Sequence, residues 1–534
     1  MVKLELLDMP LEVVSNVFEF LPGQDKKNLA LTCSAVLNIV APTLYSTVRL
    51  FYDESQPENG FGGLPQLIDV DHLISSPRFP LGYARRLSIE RNRSSDLASL
   101  KRGPRRRSST KEQNEFAGTA DRAIELILNR FKDGQLDSIR LDYQTTYKTF
   151  ALICGRQKKL RTLSLGDFKP GGLRSKFPNK ILTPGSLTLE SLEIREIDER
   201  VGCLTTVFRI LNQNSTTLRT LRIGDPTHPT NTRSTVVSYA RLLRTQTNVP
   251  LTRIDLPALE RISIVHDYSN ERFWNVFQRI VHCGKSLSHI RISCSADPYI
   301  LIQQLVARGA NGIESIQTNN CRRYTFRDFQ GMMVKQQLPR IYGLETLQMQ
   351  MYTHEEGEFE AAYASRQTLK RLWLRCSSYC DPKKCLSMSG ILDYSTNTSL
   401  SSDKWPLLEE LAIGAPQWAS IETNSWFELP MLRSLKVLRL LRWDSSPFRL
   451  ETPLEVNLIR PKIEAYVDWI HCWCGVAYEE LPNLRVIVVE TAFSQGCPGT
   501  IIRIPFYFVA YYSGESPRLN GTLPFIDAIA LPKA

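Results

Sequence analysis

The chain is 534 residues long, 42% hydrophobic and carries a formal net charge of +11. That length and apolar content allow a large core, while no apolar run approaches the length of a bilayer span and the mixed, acidic start does not read as a secretory leader, so membrane and secreted classes are set aside. The twelve cysteines are scattered, and without a leader they read as free thiols in a reducing compartment, cytoplasmic or nuclear.

The first elements are helical. Pro10 reads as the first residue of a helix, where its missing N–H removes a donor that the helix start leaves unpaired anyway. Val13, Val14, Val17, Phe18 and Leu21 recur at helical spacing as one apolar stripe, with Glu12, Ser15, Asn16 and Glu19 on the other side. Pro22-Gly23 ends that helix. A second short helix is predicted from about Asp25 to Thr32, and a third from about Ser34 with Val36, Leu37, Val40 and Leu44. A short apolar strand closes the segment at Val48 to Leu50. Three helices of this length cannot enclose all of that apolar surface alone.

Through Met9-Pro10, Glu12-Val13, Val17-Phe18, Leu21, Asp25, Leu29 and Cys33, this segment resembles an F-box, the adaptor-binding module of cullin-RING (SCF) ubiquitin ligases. The run from Ala41 to Tyr45, followed by Val48-Arg49-Leu50, is similar to the form common in fungal members. The resemblance implies that Met9, Pro10, Val13, Val17, Phe18 and Leu21, with Leu29 and Leu44 behind them, face a Skp-type adaptor and through it a cullin.

Beyond the helices the chain repeats. The pattern apolar-x-x-apolar-x-apolar starts at Leu136, Leu160, Leu189, Leu218, Leu259, Leu287, Ile313, Leu344, Leu369, Leu408, Leu435 and Leu484, with a weaker copy from Ala84 to Ile89. Most copies lie 24 to 31 residues apart, the period of leucine-rich repeats. Amphipathic helical stretches lie between them, among them Arg122 to Phe131, Val201 to Asn212, Val236 to Arg244, Arg272 to Cys283 and Tyr299 to Ala307. The expected fold is therefore α/β: a small N-terminal three-helix F-box followed by an irregular leucine-rich-repeat βα solenoid, with parallel inner strands and outer helices. The copies resemble the degenerate repeats of fungal F-box proteins. The F-box is placed at residues 1–50, the solenoid at 51–90 and 121–495, and a C-terminal cap at 496–534. Within that cap, Ile504 to Tyr512 is predicted to be a strand closing the last repeat.

The charge is local. From Arg85 to Arg107 there are nine basic and two acidic residues, which supply +7 of the total. Residues 91–120 are poor in apolar side chains and predict a disordered basic insertion. Lys101 to Arg107 is a candidate nuclear localisation signal with Ser108, Ser109 and Thr110 as candidate phosphorylation sites, against a plain solvated linker. The segment has almost no interleaved aromatics, which single-strand recognition would use, so no nucleic-acid partner is expected.

Cys376, Cys380 and Cys385 form one cysteine cluster, and His471, Cys472 and Cys474 another. Neither has the paired spacing of a structural zinc site, and no metal or other cofactor is expected. There is no glycine-rich phosphate loop, no H-E-x-x-H and no G-x-S-x-G turn, so catalysis by this chain is not expected. A recruiting subunit would need none.

Side chains alternate along a strand, so the residues between the core leucines of each repeat point to the concave face. Those positions hold Arg140, Ser164, Glu193, Arg195, Arg222, Ser263, Arg291, Gln348, Trp373, Arg375 and Arg439. Of these, Arg140, Arg195, Arg222, Arg291, Trp373, Arg375 and Arg439 are the candidate substrate-binding residues. Arginine matches carboxylates and phosphates in a forked geometry and tryptophan is a frequent anchor, which points to an acidic or phosphorylated protein substrate. Against this stand a surface that arginine merely keeps soluble, and a repeat scaffold with no ubiquitin-ligase role.

Overall fold

The computed structural model describes chiefly residues 20–30, 34–52, 81–91, 124–142, 145–168, 187–197, 201–224, 253–265, 280–293, 312–319, 343–351, 364–376, 405–414, 434–443, 485–494, 501–513 and 516–519, with scattered positions between. The chain divides into two units, Met1–Ser286 and Leu287–Ala534; parallel strands build both, and the bounded helices among the described residues all lie in the first.

The first unit begins with helical positions at Val13, Asn16, Val17 and Phe20, and the helix stops at Pro22. Two bounded helices follow, α1 (Gly23–Ala30) and α2 (Ser34–Leu44). They close on Val36, against which Leu21, Leu29, Ile39 and Leu44 pack. Strand β1 (Thr47–Tyr52) then pairs antiparallel with the short β2 (Leu67–Ile68) and parallel with β3 (Arg86–Arg91). From β3 the sheet grows strand by strand through β4 (Ser138–Leu141), β5 (Thr162–Phe168), β6 (Ser191–Ile197) and β7 (Thr220–Ile223). After β8 (Ile254–Leu256), strand β9 (Arg261–Val265) joins β7, again parallel. Parallel neighbours need a long crossover between them. Helix α3 (Tyr147–Arg156) supplies it between β4 and β5, and α4 (Val201–Gln213) between β6 and β7.

In the second unit β11 (His289–Ser293), β12 (Ser315–Asn319), β13 (Thr346–Met351), β14 (Arg371–Cys376), β15 (Glu410–Gly414), β16 (Val437–Trp443) and β17 (Val486–Ser494) pair in chain order, all parallel. Strand β18 (Ile501–Ser513) is the predicted closing strand and lies antiparallel against β17, with β19 (Ser516–Leu519) antiparallel beyond it.

Every one of the apolar-x-x-apolar-x-apolar motifs is a strand. The third position of each motif opens it, and the fourth aligns across the sheet, so Ile139, Leu163, Leu192, Leu221 and Ile262 form one buried row in the first unit. Ile290, Ile316, Leu347, Leu372, Leu411 and Leu438 form its counterpart in the second. Helix α4 buries Leu204, Val207, Phe208 and Leu211, the i, i+3, i+4, i+7 stripe of an amphipathic helix. Helix α3 buries Phe150, Ile153 and Cys154, and the Phe150 ring meets Phe168 edge-on at 5.6 Å. Burial pushes the Cys154 thiol up to about 12, so it is no nucleophile at neutral pH.

The stretch predicted as one helix from Arg272 to Cys283 is helical at Phe277 and Ile280 but ends as strand β10 (Val281–Cys283), parallel to β8. Val281 and Cys283 are buried and lie opposite Ile254 and Leu256; pairing two apolar strands outweighed one more helical turn. A Cβ added at Gly284, just after β10, would stand 2.9 Å from the backbone of Pro257. Helix α3 is not among the helical stretches predicted from spacing. Its start is capped by Thr146, whose hydroxyl accepts from the Thr149 N–H. The stretch Val236 to Arg244 and the basic insertion beyond Arg91 lie outside the described residues.

Two ladders lock neighbouring repeats in register. The second position of each motif alternates in sign, running Arg85, Asp137, Arg161, Glu190, Arg219, Glu260 in the first unit. Arg219 pairs with Glu260 at 2.8 Å, and in the second unit Lys370 pairs with Glu345 at 2.8 Å and Lys436 with Glu409 at 2.7 Å. The Lys436 ammonium holds the Glu409 carboxyl below its usual range. Exposed pairs like these stabilise little one by one, but a slipped repeat would oppose like charges. The other ladder is buried. Gln157 accepts from the Leu136 N–H at 3.0 Å, and Asn214 accepts from the Leu189 N–H at 2.7 Å while donating to the Ile210 carbonyl at 2.8 Å. The hydroxyls of Thr217 and Thr368 donate to the Leu189 and Leu344 carbonyls of the preceding repeats. Asn214→Ala strands the buried Leu189 N–H and is expected to cost about 2 kcal/mol, the penalty for an unmet buried donor. Urea unfolding with amide exchange at Leu189 checks this; unchanged exchange there would contradict it.

Candidate functional site

Two surfaces collect the candidate residues. At the N-terminus the predicted adaptor set divides. Val13 and Val17 are 44% and 43% exposed, whereas Leu21, Leu29 and Leu44 turn inward onto Val36. Met9, Pro10 and Phe18 lie outside the described residues. Among the described residues of this segment the most exposed large apolar side chain is Phe20, at 89%. It was not part of the predicted stripe, yet Val13, Val17 and Phe20 stand at i, i+4 and i+7, one helical face. That spacing was legible in the sequence.

On the strand face opposite the leucines, register brings the predicted positions into rows. Ser88, Arg140, Ser164, Glu193, Arg222 and Ser263 follow one another across the first unit. Arg291, Gln317, Gln348, Trp373, Ala412 and Arg439 do so across the second. Arg291 is exposed on β11. Arg375 takes its place in β14 beside Gly414, and its side chain lies outside the described residues.

In the first unit the arginines are met from within the chain. Asp142, whose side chain is only 7% exposed, grips Arg140 with both oxygens at 2.9 and 3.3 Å and takes the Arg195 Nη2 at 2.8 Å. The same contact holds the Arg140 guanidinium above its usual pKa. Glu193 stands 3.9 Å from Arg195 and 3.7 Å from Arg222. This is a knitted polar layer rather than a bare cationic patch. Within it the Ser164 hydroxyl and the Arg222 Nε are buried without a hydrogen-bond partner.

The second unit is arranged differently. Arg439 on β16 reaches across Ala412 and lays its guanidinium 5.1 Å from the centre of the Trp373 ring, a cation–π distance. Its Nε donates to Glu410, and the Arg371 Nε approaches the same carboxylate at 3.9 Å. The Trp373 Nε1–H is buried and meets no acceptor.

Among the described residues no group of three His, Cys, Asp or Glu could hold a metal ion, and no helix is long and apolar enough to cross a membrane. Cys376 ends β14; Cys380, Cys385 and the His471 to Cys474 group lie outside the described residues. Fold and surfaces together define the class: an α/β protein built of parallel-strand repeats, with an apolar helical face and a polar, arginine-bearing strand face. No protein-family model matches the chain, and no curated protein matches it.

Proposed function

We propose that this chain is the substrate-recognition subunit of an SCF ubiquitin ligase, working in the cytoplasm or nucleus. Its N-terminal F-box docks a Skp-type adaptor and through it a cullin, and the strand face of its leucine-rich repeats takes a protein substrate. The observation that carries the reading is the uncovered face of Val13, Val17 and Phe20, which stands in a segment with the F-box pattern. A helix that only capped the repeats would bury that face; one that awaits a partner leaves it open, because apolar area removed from water is what drives such docking. The repeats supply the second half of the reading, since parallel strands stacked one per repeat present a long row of side chains to a ligand. Ubiquitin transfer itself falls to the other subunits of the ligase.

The test is a pull-down of the purified chain with a Skp-type adaptor, comparing the wild type with a Pro10→Ala, Val17→Asp, Phe18→Asp variant. The wild type is expected to bind, and the variant to lose binding by at least about a hundredfold, because placing two carboxylates in an apolar interface costs several kcal/mol. If neither binds, the chain is a leucine-rich-repeat scaffold without a ubiquitin-ligase role.

A further inference from the structure

The row on the second unit contains one place where aromatic surface, excess charge and an unmet donor coincide. Trp373 and Arg439 sit on either side of Ala412 in register, and Ala412, on the outward row, is nonetheless fully buried. The two long side chains close over it, with the guanidinium on the indole ring. Glu410 is the acid that meets both Arg439 and Arg371. Among the described residues, two guanidinia against one carboxylate leave the cluster with a net charge of about +1, partly screened from water because the Glu410 and Arg439 side chains are only 14% and 23% exposed. Arg371, 61% exposed, is the arm that reaches solvent. The Trp373 N–H is buried and lacks an acceptor, a standing cost to the cluster as it is arranged without a ligand.

We propose that this cluster is the anchoring point for an acidic, unphosphorylated segment of the protein substrate, which places a glutamate or aspartate carboxylate against Arg371 and Arg439 and its aliphatic stem on Trp373. This rests on reading the strand face as the substrate surface. Charge decides between the two acidic chemistries. One carboxylate neutralises the excess, whereas a phosphate carries about −1.5 to −2 and would bring uncompensated negative charge against Glu410. Arginine and tryptophan are also the residue types in which binding energy concentrates. Among the described residues the first unit offers no such place, because three acids, Asp142, Glu193 and Glu90, face its three clustered arginines, Arg140, Arg195 and Arg222.

The experiment is fluorescence anisotropy of the full chain with three fluorescein-labelled degenerate peptide pools that differ only in a central glutamate, phosphoserine or glutamine. The glutamate pool is expected to bind about tenfold more tightly than the glutamine pool, and more tightly than the phosphoserine pool; a difference of that size is one lost charged contact. Arg371→Gln and Arg439→Gln should each erase the preference, while Arg261→Gln, an exposed arginine of the other unit, should keep it. Arg371 is the safer variant, since its exposed side chain is dispensable for folding, and an unchanged melting curve verifies that. Equal binding of the pools, a phosphoserine preference, or wild-type behaviour of Arg371→Gln would each overturn the proposal. Adaptor binding is read separately: a chain that captures the adaptor but shows no glutamate preference loses only this site, and one that prefers glutamate without capturing the adaptor loses only the ligase role.

Discussion

Leu192→Ala is expected to destabilise the Met1–Ser286 unit by about 3 kcal/mol, within the range for leucine truncation in a packed core. Leu192 is fully buried at the middle of the row that runs from Ile139 through Leu163 and Leu221 to Ile262. Strands on both sides hold their spacing by backbone hydrogen bonds, so the sheet cannot close over the lost methyl groups, and a cavity cost adds to the lost transfer energy. In a stacked array each repeat buries its leucines against its neighbours alone, so the loss reaches β5 and β7 as well as β6. The measurement is the urea midpoint followed by circular dichroism. Leu126→Ala, at a position 46% exposed, is the control and should shift stability by less than about 0.5 kcal/mol. Equal effects from the two would mean that the buried row is not what holds the unit together.

Asp142→Ala should cost nearly as much, about 2–3 kcal/mol. The carboxylate is the shared counter-ion of Arg140 and Arg195, and removing one partner of a buried pair leaves charge without compensation, a loss of about 3–5 kcal/mol when all partners are buried. The Arg140 side chain is 42% exposed, so water recovers part of that and the lower figure applies. Asp142→Asn keeps the shape and one accepting oxygen and should lose roughly half as much, since it surrenders charge but retains a hydrogen bond. A stability change under about 0.5 kcal/mol for the alanine variant would show that the two guanidinia find other partners without strain.

Strand placement was open to reading in the chain because it depends on short-range pattern. In each motif, such as Leu189 to Ile194, two positions face the leucine core and the residue between them faces away, and burial along β6 follows that alternation. The helix stripe of α4 was legible for the same reason. The limits appear where a neighbour outbids the local pattern: Val281 to Cys283 carries a helical period but pairs with β8, since the gain from joining two apolar strands depends on a segment elsewhere in the chain. At the N-terminus helical spacing alone puts the stripe on one face, but contact with Val36 draws Leu21 inward while Val13 and Val17 stay out.

The candidate strand face divides in the same way. Which residues stand on it follows from period two, and the alternation alone places Arg140, Arg195, Arg222, Trp373 and Arg439 there. Which charges they meet does not, because Asp142 reaches Arg195 two strands away and Arg439 crosses Ala412 to reach Trp373. The sequence by itself determined the repeat, its strands and the residues on each face, since these are set by side-chain direction along a few consecutive residues. Only the tertiary structure decided that Arg140, Arg195 and Arg222 are faced by as many acids, Asp142, Glu193 and Glu90, while Arg371 and Arg439 beside Trp373 share Glu410 alone among the described residues, since ion pairing depends on the register between parallel strands that long crossovers keep far apart in the chain.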